Sequence, residues 1–259
     1  MRAAVSMWGL TGGFVTLCEI EPAVAPDLRH VRRQVALLDG VADACLVPDN
    51  HLGRATVSSV AVAGEVIALG GSAVACVNSR DRNLLGFRRD PLTAAAYGVT
   101  DFLFVRGDDS PDAVRSGDLT VRRMIEEARA FGGGRLRVGV TARAGGRLPA
   151  WKRSADFLLV QVTFDLDPLL AWRSTIEFDG PVLAGVVVLT SAKMARALTV
   201  ALSEVTVPEA LVEALEADRD AGVDYALELV ARLRQSEIYD GVHLVPVTRV
   251  AQVAERLRR

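Results

Sequence analysis

The sequence is poor in the residue types from which metal sites and disulfides are built. It contains three cysteines and three histidines, no Cys-x-x-Cys pair occurs, and the histidines (His30, His51 and His243) are far apart in the chain. We therefore expect no histidine-rich metal site. The cysteines lie in apolar, strand-like stretches, which predicts buried free thiols in the reducing compartment of a cytoplasmic protein. They are Cys18, Cys45 and Cys76.

Long apolar runs and an excess of one charge are also missing. The formal net charge is −2, with acidic and basic residues interspersed, so we expect no nucleic-acid partner, which would require a basic face. No apolar run is long enough to span a bilayer, so we expect no membrane partner. Residues 1–25 begin like a secretory signal, but Gly12 and Gly13 interrupt the apolar run, and Glu19 and Glu21 occupy the region of a cleavage site. A short flexible start before a first strand is the better interpretation.

Strand-like and helix-like stretches alternate along the whole chain. Apolar stretches rich in β-branched residues predict eight strands, at 14–21, 42–47, 73–78, 101–105, 136–141, 155–162, 182–189 and 241–247. Helical periodicity separates most of them, which predicts a parallel sheet. The length of 259 residues suits one domain, 1–259, of the α/β class. We predict a single (β/α)8 TIM barrel.

Polar residues gather just past the ends of the third and fourth predicted strands. The fourth strand runs directly into Arg106, Gly107 and Asp108. Ligands bind at the carboxyl ends of the strands in parallel α/β folds. Arg106 can bind a phosphate or carboxylate through two hydrogen bonds, and Gly107 lets the backbone approach a ligand closely. Asp108 can accept two parallel hydrogen bonds from an amidine-like ring edge, although capping of the loop is an alternative role.

Glu19 is the one carboxylate inside the apolar first strand. A solvent-facing position on an alternating strand would explain it without any function. In a barrel, however, both faces of a strand are covered, and an inward carboxylate is costly to bury. Glu19 is therefore a candidate catalytic acid. Lys152 and Lys193 are the only lysines and neither lies in the middle of a predicted strand, which argues against a Schiff-base aldolase.

Several sequence segments, taken in order, resemble those of the methylenetetrahydrofolate reductase family. They are CEIEPA, VPDNHLGRATVSS, SRDRN, VRGD, ADFLLVQVTFD and DGVHLVPV. The resemblance implies a (β/α)8 barrel that reduces 5,10-methylenetetrahydrofolate to 5-methyltetrahydrofolate. It also implies FAD as the carrier of a hydride from NADH or NADPH.

The resemblance assigns roles to particular residues. Glu19 corresponds to the family's catalytic glutamate, which would protonate the folate N10 if burial raises its pKa toward neutrality. Asp108 and Gln161 would hold the pterin, and Arg249 resembles an arginine near the folate. An interior amide remains an alternative for Gln161, as does a surface charge for Arg106 and Arg249. The implied FAD contacts are Asn78, Asp81, Arg82, Arg106, Gly107, Asp108 and Lys152.

Two departures from the family pattern bear on the flavin. Cys76 stands where many members have a histidine, and residues 142–154 leave little room for a full crossover helix that usually supplies flavin contacts. The departures leave two alternatives open. One is a flavin-free reductase in which the nicotinamide gives its hydride directly to the folate. The other is an accessory folate-binding barrel that needs a homo-oligomer or a partner subunit.

Overall fold

The structure, a computed structural model, describes residues 13–110, 114–132, 136–201 and 205–258. Residues 1–12, which belong to the predicted flexible start, lie outside the described residues. Eight parallel strands form a closed barrel in which each strand pairs with its neighbours in sequence and β8 pairs with β1. The predicted (β/α)8 barrel is confirmed. The strands are β1 Val15–Glu19, β2 Ala44–Val47, β3 Ala73–Asn78, β4 Asp101–Val105, β5 Arg137–Ala142, β6 Phe157–Val160, β7 Val182–Val187 and β8 Gly241–Val245.

Helices cover the outside of the barrel. They are α1 Arg29–Leu38, α2 Ser59–Ala68, α3 Leu84–Tyr97, α4 Val121–Gly132, α5 Leu166–Arg173, α6 Ala192–Ala201, α7 Glu209–Ala217, α8 Ala221–Ser236 and α9 Val250–Leu257. Alternate residues of each strand face this layer, because successive side chains of a strand point to opposite faces. Cys18 of β1 and Val138 of β5 belong to this outer core.

The inward residues fill the barrel with a second core, which includes Leu17, Leu46, Val74 and Phe157. Phe157 is fully buried. It pairs in register with Gly139 of β5, and a Cβ atom on that glycine would lie 2.0 Å from the Phe157 ring. Gly139 therefore makes room for the largest side chain of the interior. The packed centre leaves the carboxyl ends of the strands as the place where a cavity can form.

The connection between β5 and β6 is short, as the sequence predicts. Its regular structure is a 3₁₀ helix at Ala150–Ser154. Trp172 of α5 donates a hydrogen bond from Nε1 to the carbonyl oxygen of Gly146 at 2.7 Å, and its side chain is buried. Trp172 is thus a core residue. The outward residues Phe104 of β4 and Val140 of β5 are nevertheless buried.

Candidate active site at the carboxyl ends of the strands

A cavity of about 750 Å³ opens at the carboxyl ends of the strands. Glu19 lies on its wall at the end of β1, Asp108 follows β4, and Gln161 follows β6. Three of the four residues predicted to act on the substrate therefore share one cavity, although they are far apart in sequence. Polar groups that converge in a largely apolar cavity are typical of small-molecule sites.

Glu19 contacts a histidine that the sequence argument did not select. Its Oε2 lies 3.1 Å from Nε2 of His243, and the two side chains are 16% and 14% exposed. His243 is the register partner of Leu17 on the inner face of the β1–β8 seam. Glu19 is the next inward residue of β1, so the two side chains are diagonal neighbours. The polar residue in the apolar stretch GVHLVPV was the available signal, but the contact depends on barrel closure.

Asp108 is held by the loop that follows β2. The backbone N–H of Leu52 donates a hydrogen bond to its Oδ2 at 2.9 Å. Leu52 has a φ of 54°, a conformation that is uncommon for this residue type. Gly107 has a φ of 90°, and a Cβ atom there would lie 2.9 Å from Cβ of Asn78. The tight backbone at Gly107 and the Leu52 N–H thus place the carboxylate at the cavity edge.

Gln161 lies where β6 leaves the sheet. Its backbone N–H donates to the carbonyl oxygen of Ala142 at 2.8 Å, which continues the β5–β6 pairing by one residue. On the other side, Gly185 lets β7 pass close to the end of β6, because a Cβ atom on Gly185 would lie 2.5 Å from the Val160 oxygen. The half-buried Gln161 side chain lines the cavity.

Three of the residues predicted to contact the flavin form a network behind the cavity wall. The Asn78 amide donates to Asp49 Oδ2 at 2.6 Å, and Asp81 N–H donates to Asn78 Oδ1 at 2.9 Å. Arg82 donates to both Asp49 and Asp90 at 2.5 Å. None of the three lines the cavity, whereas Asp49 does. In the structure these residues connect the loops after β2 and β3.

Charge pairing fixes the protonation of Arg82. Burial alone would lower its pKa, but the Coulombic attraction and hydrogen bonds of Asp49 and Asp90 raise the pKa well above the usual value. The guanidinium therefore stays charged and paired with both carboxylates. Its contribution to a ligand site is the position of Asp49 and of the surrounding loops.

A second cavity of about 690 Å³ lies beside the first, where the crossover helix is missing. The two cavities share Arg106, Thr141 and Lys152. Lys152 Nζ donates to the Thr141 oxygen at 2.6 Å and lies 5.4 Å from the centre of the Trp151 ring. Burial, and then the charge of Arg143, lower the pKa of Lys152. Arg115 and Arg122 also line this cavity, so it presents cations and one indole ring.

The remaining predicted residues are placed less centrally. Arg249 precedes α9 and does not line the cavity. Its guanidinium lies 3.7 Å from Asp220 Oδ1 and donates a hydrogen bond to the backbone oxygen of Arg219. Cys76 does line it, and burial followed by the charges of Asp49 and Glu19 raises the pKa of its thiol. All three cysteines are free and buried, as predicted. His51 is exposed at the rim.

Two negative findings concern the residues that the structure describes. Among them, no group of three or more histidine, cysteine, aspartate or glutamate side chains could hold a metal ion. Within the same ranges, no helix is long and apolar enough to cross a membrane.

Comparison with solved structures supports the fold. A protein from Clostridium thermocellum, described as an uncharacterized protein that binds two copies of 5-methyl-5,6,7,8-tetrahydrofolic acid, is 11% identical with a TM-score of 0.68, and the alignment covers 97% of each chain. Tryptophan synthase from M. tuberculosis is 14% identical with a TM-score of 0.51, covering 95% of this chain and 91% of that one. At these identities the likeness concerns the fold alone.

Sequence comparison points to one family. No curated protein matches the sequence. The family model for methylenetetrahydrofolate reductase matches residues 151–258. This range contains Lys152, Gln161 and His243, which line the cavity, and Arg249. The predicted resemblance to the methylenetetrahydrofolate reductase family is therefore confirmed, and residues 151–258 carry it.

Proposed function

We propose that this protein is an oxidoreductase that reduces 5,10-methylenetetrahydrofolate to 5-methyltetrahydrofolate with a hydride from NADH or NADPH. The observation that carries the proposal is the convergence of Glu19, Asp108 and Gln161 on one cavity. The family match over residues 151–258 and the folate bound by the Clostridium thermocellum protein of the same fold support it.

The residues in the cavity suit the needs of this reaction. In the substrate, one methylene carbon bridges N5 and N10, and reduction requires the bond between that carbon and N10 to break. Glu19 supplies the proton that N10 takes up, as a general acid. Asp108 accepts hydrogen bonds from the amidine-like edge of the pterin, and the Gln161 amide offers both a donor and an acceptor to the ring. The packed barrel interior below excludes water from the reacting carbon.

The second cavity suits the diphosphate-bearing half of a dinucleotide. Arg106, Arg115, Arg122 and Lys152 provide positive charge, and Trp151 provides a flat surface. Arg106 and Lys152 would hold FAD between the two cavities. When bound, FAD relays the hydride between the nicotinamide and the folate. The same cations equally fit the diphosphate of NADH or NADPH.

A flavin-free version of the same reaction is the second candidate. Two features favour it. The 3₁₀ helix Ala150–Ser154 stands in place of a crossover helix, and hydrogen bonds within the loop network engage Asn78, Asp81 and Arg82. In this version the second cavity holds the nicotinamide dinucleotide itself. The visible spectrum of the purified chain, before and after incubation with FAD and desalting, separates the two candidates, since retained flavin gives visible absorption bands.

The decisive test of the function is the variant E19Q. The isostere keeps the size and polarity of the side chain but cannot act as an acid, so we expect folate binding to persist while turnover falls by about 10²- to 10⁴-fold. Folate-dependent oxidation of NADH and NADPH, with and without FAD, is the assay. Turnover of E19Q at the parent rate would contradict the role of Glu19. Absence of any turnover in the parent chain, together with retained folate binding, would instead favour an accessory folate-binding barrel.

A further inference from the structure

The second cavity contains more positive charge than the diphosphate of a dinucleotide requires. Arg106 and Lys152 lie at its border with the first cavity, since they line both cavities. Arg115 and Arg122 line the second cavity alone. Two cations therefore remain away from the shared border, and a diphosphate held at that border does not occupy them.

These two arginines belong to the segment that opens α4. Arg115 lies in the loop before the helix, and Arg122 is the second helical residue. Among the described residues, no acidic side chain pairs with the exposed Arg115. Arg122 Nε lies 3.2 Å from Glu126 Oε1, but the two side chains are 67% and 48% exposed. Exposed pairs of this kind contribute little to stability, so both guanidinium groups are available to an anionic ligand.

Carboxylates are missing from the part of this lining that the structure describes. Asp118, the acidic residue of the same segment, lies outside the lining and accepts hydrogen bonds from the Ser116 hydroxyl at 2.6 Å and the Leu84 N–H at 3.1 Å. In dinucleotide-binding folds, a carboxylate that accepts a hydrogen bond from the adenosine 2′-hydroxyl favours NADH, whereas an arginine at the same place accommodates the 2′-phosphate of NADPH. The second cavity has the composition of the NADPH type.

We propose that Arg115 and Arg122 bind the 2′-phosphate of NADPH and thereby select NADPH over NADH as the hydride donor. This inference rests on the proposed function, in its version without flavin, and adds the identity of the donor. Arg106 and Lys152 hold the diphosphate at the border, so the nicotinamide enters the first cavity and the adenosine stays in the second. Trp151, which lines only the second cavity, offers its ring to the adenine.

The physical basis of the selection is the difference between a phosphate group and a hydroxyl group. A phosphate monoester carries close to two negative charges at neutral pH and has three acceptor oxygens. A guanidinium can bind it through two parallel hydrogen bonds. The 2′-hydroxyl of NADH has no charge to offer, so the same arginines add little to the binding of NADH. Because both arginines are exposed, the preference should weaken as the salt concentration rises.

Two nucleotides that differ only in the 2′-phosphate test the assignment without any need for turnover. Adenosine 2′,5′-bisphosphate and 5′-AMP are titrated into the purified full chain by calorimetry at low and at high salt. We expect the bisphosphate to bind more tightly by about tenfold or more at low salt. NADPH should exceed NADH by a similar factor, both in affinity and in kcat/KM for folate-dependent oxidation.

Variants of the two arginines show whether they carry the preference. In R115A/R122A, the ratio of NADPH affinity to NADH affinity should fall to within about twofold of unity, chiefly because NADPH binds more weakly. R115K/R122K keeps the charge but lacks the planar fork, so it should retain part of the preference. The matched control is R123A. Arg123 is the next residue of α4, but its guanidinium lies 2.6 Å from Glu127 Oε1 and lines neither cavity. R123A should keep the preference of the parent.

The outcomes separate this inference from the reductase function. Three results overturn the phosphate site and leave the reductase standing: equal affinity of the parent for the two adenosine nucleotides, an equal loss of NADH and NADPH affinity in R115A/R122A, or a loss in R123A as large as that in R122A. If FAD occupies the second cavity, the two adenosine nucleotides are not distinguished, which is the first of these results. Conversely, an arginine-dependent preference for the bisphosphate in a chain that oxidises neither dinucleotide with the folate supports the phosphate site and contradicts the reductase.

Discussion

The Arg82 guanidinium lies between the carboxylates of Asp49 and Asp90 and ties the loops after β2 and β3 to α3. The Asp49 side chain is 3% exposed, and it also accepts both the backbone and the side-chain N–H of Asn78. Removing one partner of such a buried group leaves the others with unmatched charge and hydrogen-bonding capacity. The residues that resemble flavin ligands thus act on the site by supporting its wall.

At this scale we predict that D49A lowers the free energy of unfolding by about 2–4 kcal/mol, because Arg82 and Asn78 lose a buried partner. Urea denaturation followed by circular dichroism measures this free energy of unfolding. E177A is the matched control, since the Arg153–Glu177 pair has a contact of 2.9 Å but both side chains are well exposed. It should change stability by less than about 0.5 kcal/mol. Equal effects of the two variants would show that the network is not a source of stability.

The element scale is illustrated by β5, which packs against a large ring from β6 inside the barrel. Gly139 faces Phe157 in register, and no larger residue can stand there without displacing the ring. A similar restriction applies where β7 passes the end of β6 at Gly185. Glycine is needed at both positions for space, and the gain is a filled interior below the cavity.

We therefore predict that G139A destabilises the barrel by about 1–3 kcal/mol through overpacking. For a chain of this size, the melting temperature should fall by about 2–10 °C, as measured by calorimetry or circular dichroism. G117A is the control, because a Cβ atom on Gly117 would have no neighbour within 4 Å. Unchanged melting of G139A would mean that Phe157 can move without cost, contrary to the packing described above.

The connection between β5 and β6 shows how an element affects a site by being short. Its 3₁₀ helix, Ala150–Ser154, leaves the second cavity open beside the first and places Lys152 on both. A full crossover helix would cover the outer face of β4 and β5, as helices do elsewhere in parallel barrels. Whether a flavin or a nicotinamide dinucleotide uses this opening is the choice that the spectrum of the purified chain tests.

At the scale of the whole molecule, ligand binding at the barrel mouth should stabilise the entire fold, because residues of β1 to β6 and of β8 line the cavity. A ligand at about 100 times its Kd adds about 2.7 kcal/mol to the free energy of unfolding. We predict that 5-methyltetrahydrofolate at that excess raises the melting temperature by about 5–10 °C. Thermal denaturation at several ligand concentrations provides the measurement.

The same titration assigns the binding residues. E19Q should retain the shift, whereas D108A and Q161A should lose most of it at the same ligand concentration, because their polar contacts to the pterin disappear. R249A, which lies outside the cavity lining, should behave like the parent. A parent chain that shows no shift would remove the basis for a folate site.

The sequence by itself determined the class of the fold and most of the strand positions. Two segments, Ala73–Asn78 and Asp101–Val105, have the bounds that their composition predicts. Alternating apolar strands and periodic helices are local patterns, and local patterns are readable from neighbouring residues. For the same reason, the polar segment after the fourth strand pointed to Asp108, and the carboxylate inside the apolar first strand pointed to Glu19. Gln161 was assigned through the resemblance to the family.

Tertiary structure decided which polar residues meet each other. His243 joins Glu19 only because β8 pairs with β1 in a particular register, and no local pattern encodes that contact. Asn78, Asp81 and Arg82 follow a strand end like the site residues, yet nearby carboxylates and amides engage them within the wall. Which buried polar groups become hydrogen-bond partners depends on their distances in the folded chain. Packing therefore decided which of these residues belong to the cavity wall and which face the cavity.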